Sequence, residues 1–135
     1  MNNLEDIVEI ELPTYFKNSS TLTVMNVFEE IKWAPNRIFF INTEQPVLRG
    51  DHAHRECIQV IYCNFGTLKV TCKDEKNERF FTLIPNEKML LIPAGIWSTL
   101  ELSTNCSLTV LASSKFEEME YIRDWDEFLI FRETN

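Results

Sequence analysis

The stretch Arg49–Gly66, RGDHAHRECIQVIYCNFG, carries both histidines of the chain, His52 and His54, two residues apart. On an extended strand, residues i and i+2 point to the same side. That spacing puts the two imidazoles on one face and Asp51 and Ala53 on the other. Two inward rings need polar company or a ligand, so the pair reads as functional rather than as filler. Downstream, CIQVIYC is an apolar, β-branched run, and Asn64-Phe65-Gly66 carries turn chemistry.

The rest of the chain repeats this texture. IVEIEL, TLTVMNVF, RIFFIN, TLKVTC, RFFTLIP, MLLIP, TLELS and SLTVLAS are short runs rich in Val, Ile, Thr and Phe, many alternating apolar with polar. Turn residues separate them at Ala34-Pro35-Asn36, at Lys73–Asn77 and at Pro85-Asn86. With CIQVIYC they make about nine short strands, the pattern of an antiparallel sandwich or barrel. Only FEEMEYIRDWDEFLIF departs from it. There Met119, Ile122, Trp125, Phe128 and Leu129 recur at three- and four-residue steps. That spacing predicts a terminal helix, or two short ones, packed on the sheet by one apolar stripe.

Composition narrows the function classes. The 135 residues fit one domain, residues 1–135, with 44% hydrophobic and 25% charged residues. A net charge of -8 argues against general nucleic-acid binding, which needs a basic stripe. Any anion must therefore be met by a few local arginines. The acidic start MNNLEDIVEIEL does not read as a signal peptide, and no stretch approaches a membrane span. Cys57, Cys63, Cys72 and Cys106 form no CxxC pair and sit in or beside apolar runs, as buried free thiols of a cytoplasmic protein do.

The HxH pair also opens a frame similar to the metal motif of the cupins, a superfamily of small jelly-roll-like barrels. Gly66 falls in the place of that motif's glycine, and Pro93-Ala94-Gly95-Ile96-Trp97-Ser98 matches the P-x-G-x-x-H motif except at its last residue. The two remaining ligand slots hold Gln59 and Ser98, both weak ligands beside the His and carboxylate sets that hold zinc or iron. Glu56, at i+2 from His54, could complete a facial triad only if the strand ran on unbent. The donor set thus predicts no metal. Metal-free imidazoles suit proton transfer, since histidine titrates near neutrality.

A closer resemblance covers roughly residues 36–130. RGDHAHRECIQVIYCNFGTLKVTCKDE is similar to the RGxHAHxxxxQ…GxxxV signature of the sugar 3,4-ketoisomerases among the WxcM-like cupins. NRIFFI, LLIPAGIW and YIRDWDEFL resemble further segments of that family, in the same order. The resemblance implies an all-β, jelly-roll-like antiparallel cupin barrel with a short C-terminal helix. It implies a homodimer that moves the keto group of a dTDP-4-dehydro-6-deoxyhexose from C4 to C3 through an enediol, with no cofactor, in the making of surface glycans. By carry-over, His52 takes the C3 proton and His54 is the neighbouring proton shuttle. Arg49 holds the diphosphate, a role that bidentate guanidinium–phosphate bonding supports. Arg37, Gln59, Phe39, Trp97 and Ser98 are the remaining candidate substrate contacts. Ser98 and Ser19–Leu22 replace residues that in the family help to set the C4 configuration. A sugar-nucleotide binder without turnover, or an isomerase or epimerase for another nucleotide sugar, stays open on the residues alone.

Overall fold

A computed structural model describes residues 1–135. The strands are β1 (Val8–Glu11), β2 (Thr14–Lys17), β3 (Ser20–Thr23), β4 (Arg37–Asn42), β5 (Val47–His54), β6 (Gln59–Phe65), β7 (Leu68–Lys73), β8 (Glu78–Leu83), β9 (Lys88–Ile92), β10 (Trp97–Leu102), β11 (Ser107–Ala112) and β12 (Tyr121–Ile122). Two helices join them: α1 (Val27–Glu30) and α2 (Trp125–Thr134). One sheet runs β1-β9-β6-β11-β4, the other β12-β5-β10-β7-β8, and every ladder is antiparallel. This is the antiparallel two-sheet architecture that the alternation predicted, in the jelly-roll-like all-β form that the family resemblance implied.

The inward faces follow the period-2 pattern. In β7, Leu68, Val70 and Cys72 are buried while Lys69 is exposed. They meet Ile61 and Cys63 of β6, Leu108 and Val110 of β11, and Leu100 and Leu102 of β10 in one apolar core. All four cysteines are free and buried. Burial pushes the Cys63 and Cys72 thiols up to about 12, which keeps them as inert packing groups.

Three segments differ from the sequence reading. TLTVMNVF is not one strand: β3 ends at Thr23, and the chain turns into the single helical turn of α1 behind Asn26. Met25, Val27 and Ile31 reach a second apolar cluster around Ile10, Val60 and Met89, which a straight strand could not touch. Strand β2 has no counterpart in that reading, and with β3 it closes a hairpin. Its two-residue turn holds Asn18 and Ser19 at φ 47° and 54°, the mirror-image turn that suits hairpin twist.

The third difference bears on the site. The helix begins only at Trp125, where the Asp124 side chain accepts a 3.0 Å hydrogen bond from the Glu127 N–H. Before it, Glu118–Glu120 form a 3-10 turn and Tyr121–Ile122 pair with His54 and Ala53 as an edge strand. Met119 therefore lies outside the packed stripe, 87% exposed. Phe128 is fully buried against Ala53, Trp97 and Ile122 on the outer face of the second sheet. At the far end of α2, Arg132 donates to the carbonyls of Asn2 and Gly95 and to the Glu75 carboxylate, with its side chain only 5% exposed.

Candidate active site

β5 is not a regular strand. His52 lies opposite Ser98 of β10 and Gly50 opposite Thr99, so Asp51 is an extra residue with no partner. Gly50 and Asp51 both have positive φ, 76° and 60°. Such a bulge needs glycine here, because a Cβ on Gly50 would sit 2.9 Å from the Ser98 carbonyl oxygen. The bulge changes which side chains face inward. Arg49 lies opposite Leu100, and His52 opposite Ser98, two residues apart on the same face of β10. Arg49 and His52 therefore share the inner face, while Asp51 turns out to accept a 3.1 Å hydrogen bond from Trp97 Nε1.

The inner faces of the two sheets enclose a cavity of ≈ 580 Å³, in the range of small-molecule sites. Arg37, Phe39, Arg49, His52, Gln59 and Ser98 all line it. Six of the eight side chains read from the sequence as candidates thus converge on one space. β4 supplies Arg37 and Phe39 by strict alternation, with Ile38 and Phe40 turned outward. Gln59 opens β6 and Ser98 faces His52 across the ladder.

Two candidates stand elsewhere. Trp97 faces the other side of its strand from Ser98, and its indole packs edge-on against Trp125 and Phe128 with ring centroids 5.2 and 5.4 Å away. It is a packing residue beneath α2, which corrects its assignment to the sugar pocket. Adjacent side chains on a regular strand point to opposite faces. His54 shares the inner face with His52 but lies beneath the wall, 5% exposed. The two rings meet edge-on at 5.1 Å, and the Tyr121 ring covers both, 4.9 Å from His52 and 4.5 Å from His54.

Both imidazoles are neutral bases at cellular pH. Burial first, then the Arg123 guanidinium, holds His52 below the ordinary imidazole value, against opposing pulls from the Gly50 backbone, Asp51 and Glu118. Its buried Nδ1 has no hydrogen-bond partner of good geometry. His54 is pushed down to about 3, by burial first and then by His52, Arg37 and Arg123. Its Nδ1 lies 3.5 Å from Glu120 Oε1 without a hydrogen bond, so an uncharged ring faces that carboxylate rather than half of an ion pair.

Glu120 has other work. It accepts hydrogen bonds from the backbone N–H groups of Glu56 (2.9 Å to Oε2) and Cys57 (2.7 Å to Oε1) and so folds the chain sharply after β5. That bend sends Glu56 into solvent and removes it as a third ligand beside the histidines, correcting the facial-triad option. His54, Cys57 and Glu120 bring donor atoms within 4.8 Å of one another. Yet this carboxylate is already committed to the bend, so the cluster fits a folded turn better than an ion.

The structure adds three residues to the cavity that the pattern reading left in a helix or unassigned: Phe116, Tyr121 and Arg123. Arg37 Nη1 donates to the Tyr121 hydroxyl at 3.3 Å, and its guanidinium lies over Phe39 and Phe116. Arg123 stacks over the Tyr121 ring at 4.5 Å and forks onto Glu118 at 2.6 and 3.1 Å. Arg49 engages no protein acceptor. Three guanidinium groups thus border a cavity in an acidic protein, a local reversal of charge suited to an anion.

The FdtA family model, described as WxcM-like, C-terminal, matches residues 5–133. The chain belongs to this family. A curated TDP-4-oxo-6-deoxy-alpha-D-glucose-3,4-oxoisomerase of Aneurinibacillus thermoaerophilus is 29% identical to this FdtA-family protein over 110 residues, 80% of this chain and 79% of its own length. A crystal structure of a 3,4-ketoisomerase from Helicobacter canadensis superposes with a TM-score of 0.88 at 31% identity, covering 95% of this chain and 98% of that one. QdtA, a sugar 3,4-ketoisomerase from Thermoanaerobacterium thermosaccharolyticum solved with TDP, gives 0.89 at 25% identity, covering 98% of each chain. By family, then, the FdtA-type protein described here is an isomerase, a sugar-nucleotide 3,4-ketoisomerase.

Proposed function

We propose that the protein converts dTDP-4-dehydro-6-deoxyglucose, or a close 4-keto-6-deoxyhexose relative, to its 3-keto isomer without metal or organic cofactor. The observation that carries this reading is the placement of Arg49 and the neutral imidazole of His52 on one face of one cavity. Arg49 binds the diphosphate and fixes the sugar's register. His52 removes the C3 proton, the electron pair forms the C3–C4 double bond of an enediol, and O4 takes up a proton. Loss of the O3 proton then makes the C3 carbonyl, and C4 receives a proton. A positioned base contributes about 10²- to 10⁴-fold in rate, and a neutral imidazole is ready to act without first losing a proton.

Gln59 and Ser98 are placed to hydrogen-bond sugar hydroxyls, and Phe39 with Arg37 to flank the sugar or base. We further propose that the protein works in the cytoplasm as a homodimer, the exposed apolar row Ile38 and Phe40 on edge strand β4 being a surface that pairing would cover. Incubation with dTDP-4-dehydro-6-deoxyglucose in deuterated water tests the reaction. The expected result is a 3-keto product bearing deuterium at C4. Tight binding without exchange would mean a non-catalytic binder, and exchange at C5 without keto migration would mean an epimerase.

A further inference from the structure

The 1,2-shift needs two kinds of proton transfer: one at carbon and one at the sugar oxygens. His52 lines the cavity and serves the carbon. The second imidazole is not available to the oxygens, because His54 lies behind the wall and the Tyr121 ring covers it. The hydroxyl of Tyr121 is available. Its ring lines the cavity against the His52 ring, and its oxygen accepts a hydrogen bond from Arg37 while its own proton is donated to no protein atom. That leaves an O–H donor beside the base, held by a cation able to stabilise the phenolate once the proton has gone. A ring pushed down to about 3 in any case carries no imidazolium proton to give and is a weak base for taking one.

We propose that Tyr121 is the catalytic residue that carries the protons of the sugar oxygens O3 and O4, a role that rests on the ketoisomerase reading above. In the first step the C3–H bond breaks, its proton goes to His52, and its electron pair forms C3=C4. The C4=O4 bond becomes single as O4 takes the Tyr121 proton, leaving a phenolate beside Arg37. In the second step the phenolate takes the O3 proton, the C3=O3 bond forms, and the double-bond pair takes a proton at C4 from His52, whose proton has exchanged with solvent at the cavity. The protein ends as it began, and the sugar has exchanged C3–H and O3–H for C4–H and O4–H. His54 then acts as a neutral support that holds the Tyr121 and His52 rings in place.

Tyr121→Phe keeps the ring and removes only the hydroxyl. The variant and the wild type are incubated with dTDP-4-dehydro-6-deoxyglucose in deuterated water, and proton NMR follows deuterium entry at C3 of recovered substrate and 3-keto product. In the variant, kcat for product falls about 100-fold or more while dTDP affinity stays within about threefold. Exchange at C3 falls less than product formation, since Arg37 can hold O4 as an anion but nothing remains to take the O3 proton. Turnover within about threefold of wild type, equal losses of exchange and turnover, or a collapse of dTDP affinity would each overturn the assignment. A wild type that yields no 3-keto product sinks the underlying reading instead, and the assignment with it.

Discussion

Arg49 and His52 stand three positions apart in the chain, yet their side chains enter the cavity from the same face of one strand. In an unbroken strand they would point opposite ways. The unpaired Asp51 between them, anchored outward on the Trp97 indole, supplies the odd residue that brings anion binder and base together. The reaction geometry therefore depends on a backbone irregularity that needs Gly50.

Gly50→Ala should fail on both structure and function. A left-handed φ and a Cβ 2.9 Å from a carbonyl oxygen cost about 1–3 kcal/mol or force the bulge out. Urea denaturation should show the lost stability, and kcat/KM should drop further than stability alone explains, as Arg49 and His52 part company.

His52→Asn removes the base and keeps a polar side chain of similar reach. Turnover should fall about 10²- to 10⁴-fold with dTDP affinity nearly unchanged. A large loss of affinity by calorimetry would mean that the residue holds substrate rather than reacts with it.

Arg49→Ala should act in the opposite way. Losing a charge-assisted contact worth about 1.5–3 kcal/mol weakens dTDP binding roughly 10- to 150-fold. In the wild type this binding should weaken as salt rises, and in the variant the slope should flatten.

Acid should affect rate and stability differently. His52 sits below its ordinary value, so its basic form persists below pH 6.5, and the acid limb of kcat/KM should fall below that point. For stability the sign follows from proton counts. Unfolded histidine binds a proton near 6.5, while folded His54 resists until about 3. The unfolded state thus holds more protons between those values, and stability falls as pH drops through that window. Urea midpoints measured across it should decline, and His54→Gln should flatten the decline.

Much of this was legible from alternation. In RIFFIN, Arg37 and Phe39 point in and Ile38 and Phe40 point out, as period 2 requires. His52 and His54 share a face for the same reason. Trp97 and Ser98 could not both line the cavity, and alternation alone could have said so. Tyr121 and Arg123 were hidden because MEYIRDWDEFL satisfies a helical template. Pairing of Tyr121 with His54 and of Ile122 with Ala53 prevails over that local preference, and only tertiary contact reveals it. The bulge left one trace, glycine inside a strand pattern, which marks such sites without fixing the register.

Arg132 has a consequence for how the molecule comes apart. Its guanidinium holds the carbonyl of Asn2 and that of Gly95, so the last helix and the first residues are fastened by one side chain. Each tail also has its own anchor, Leu4 in the main core and Phe128 under the last helix, but this side chain is the one they share. Limited proteolysis of Arg132→Ala should therefore show both the leading segment and the trailing helix becoming more cleavable than in the wild type.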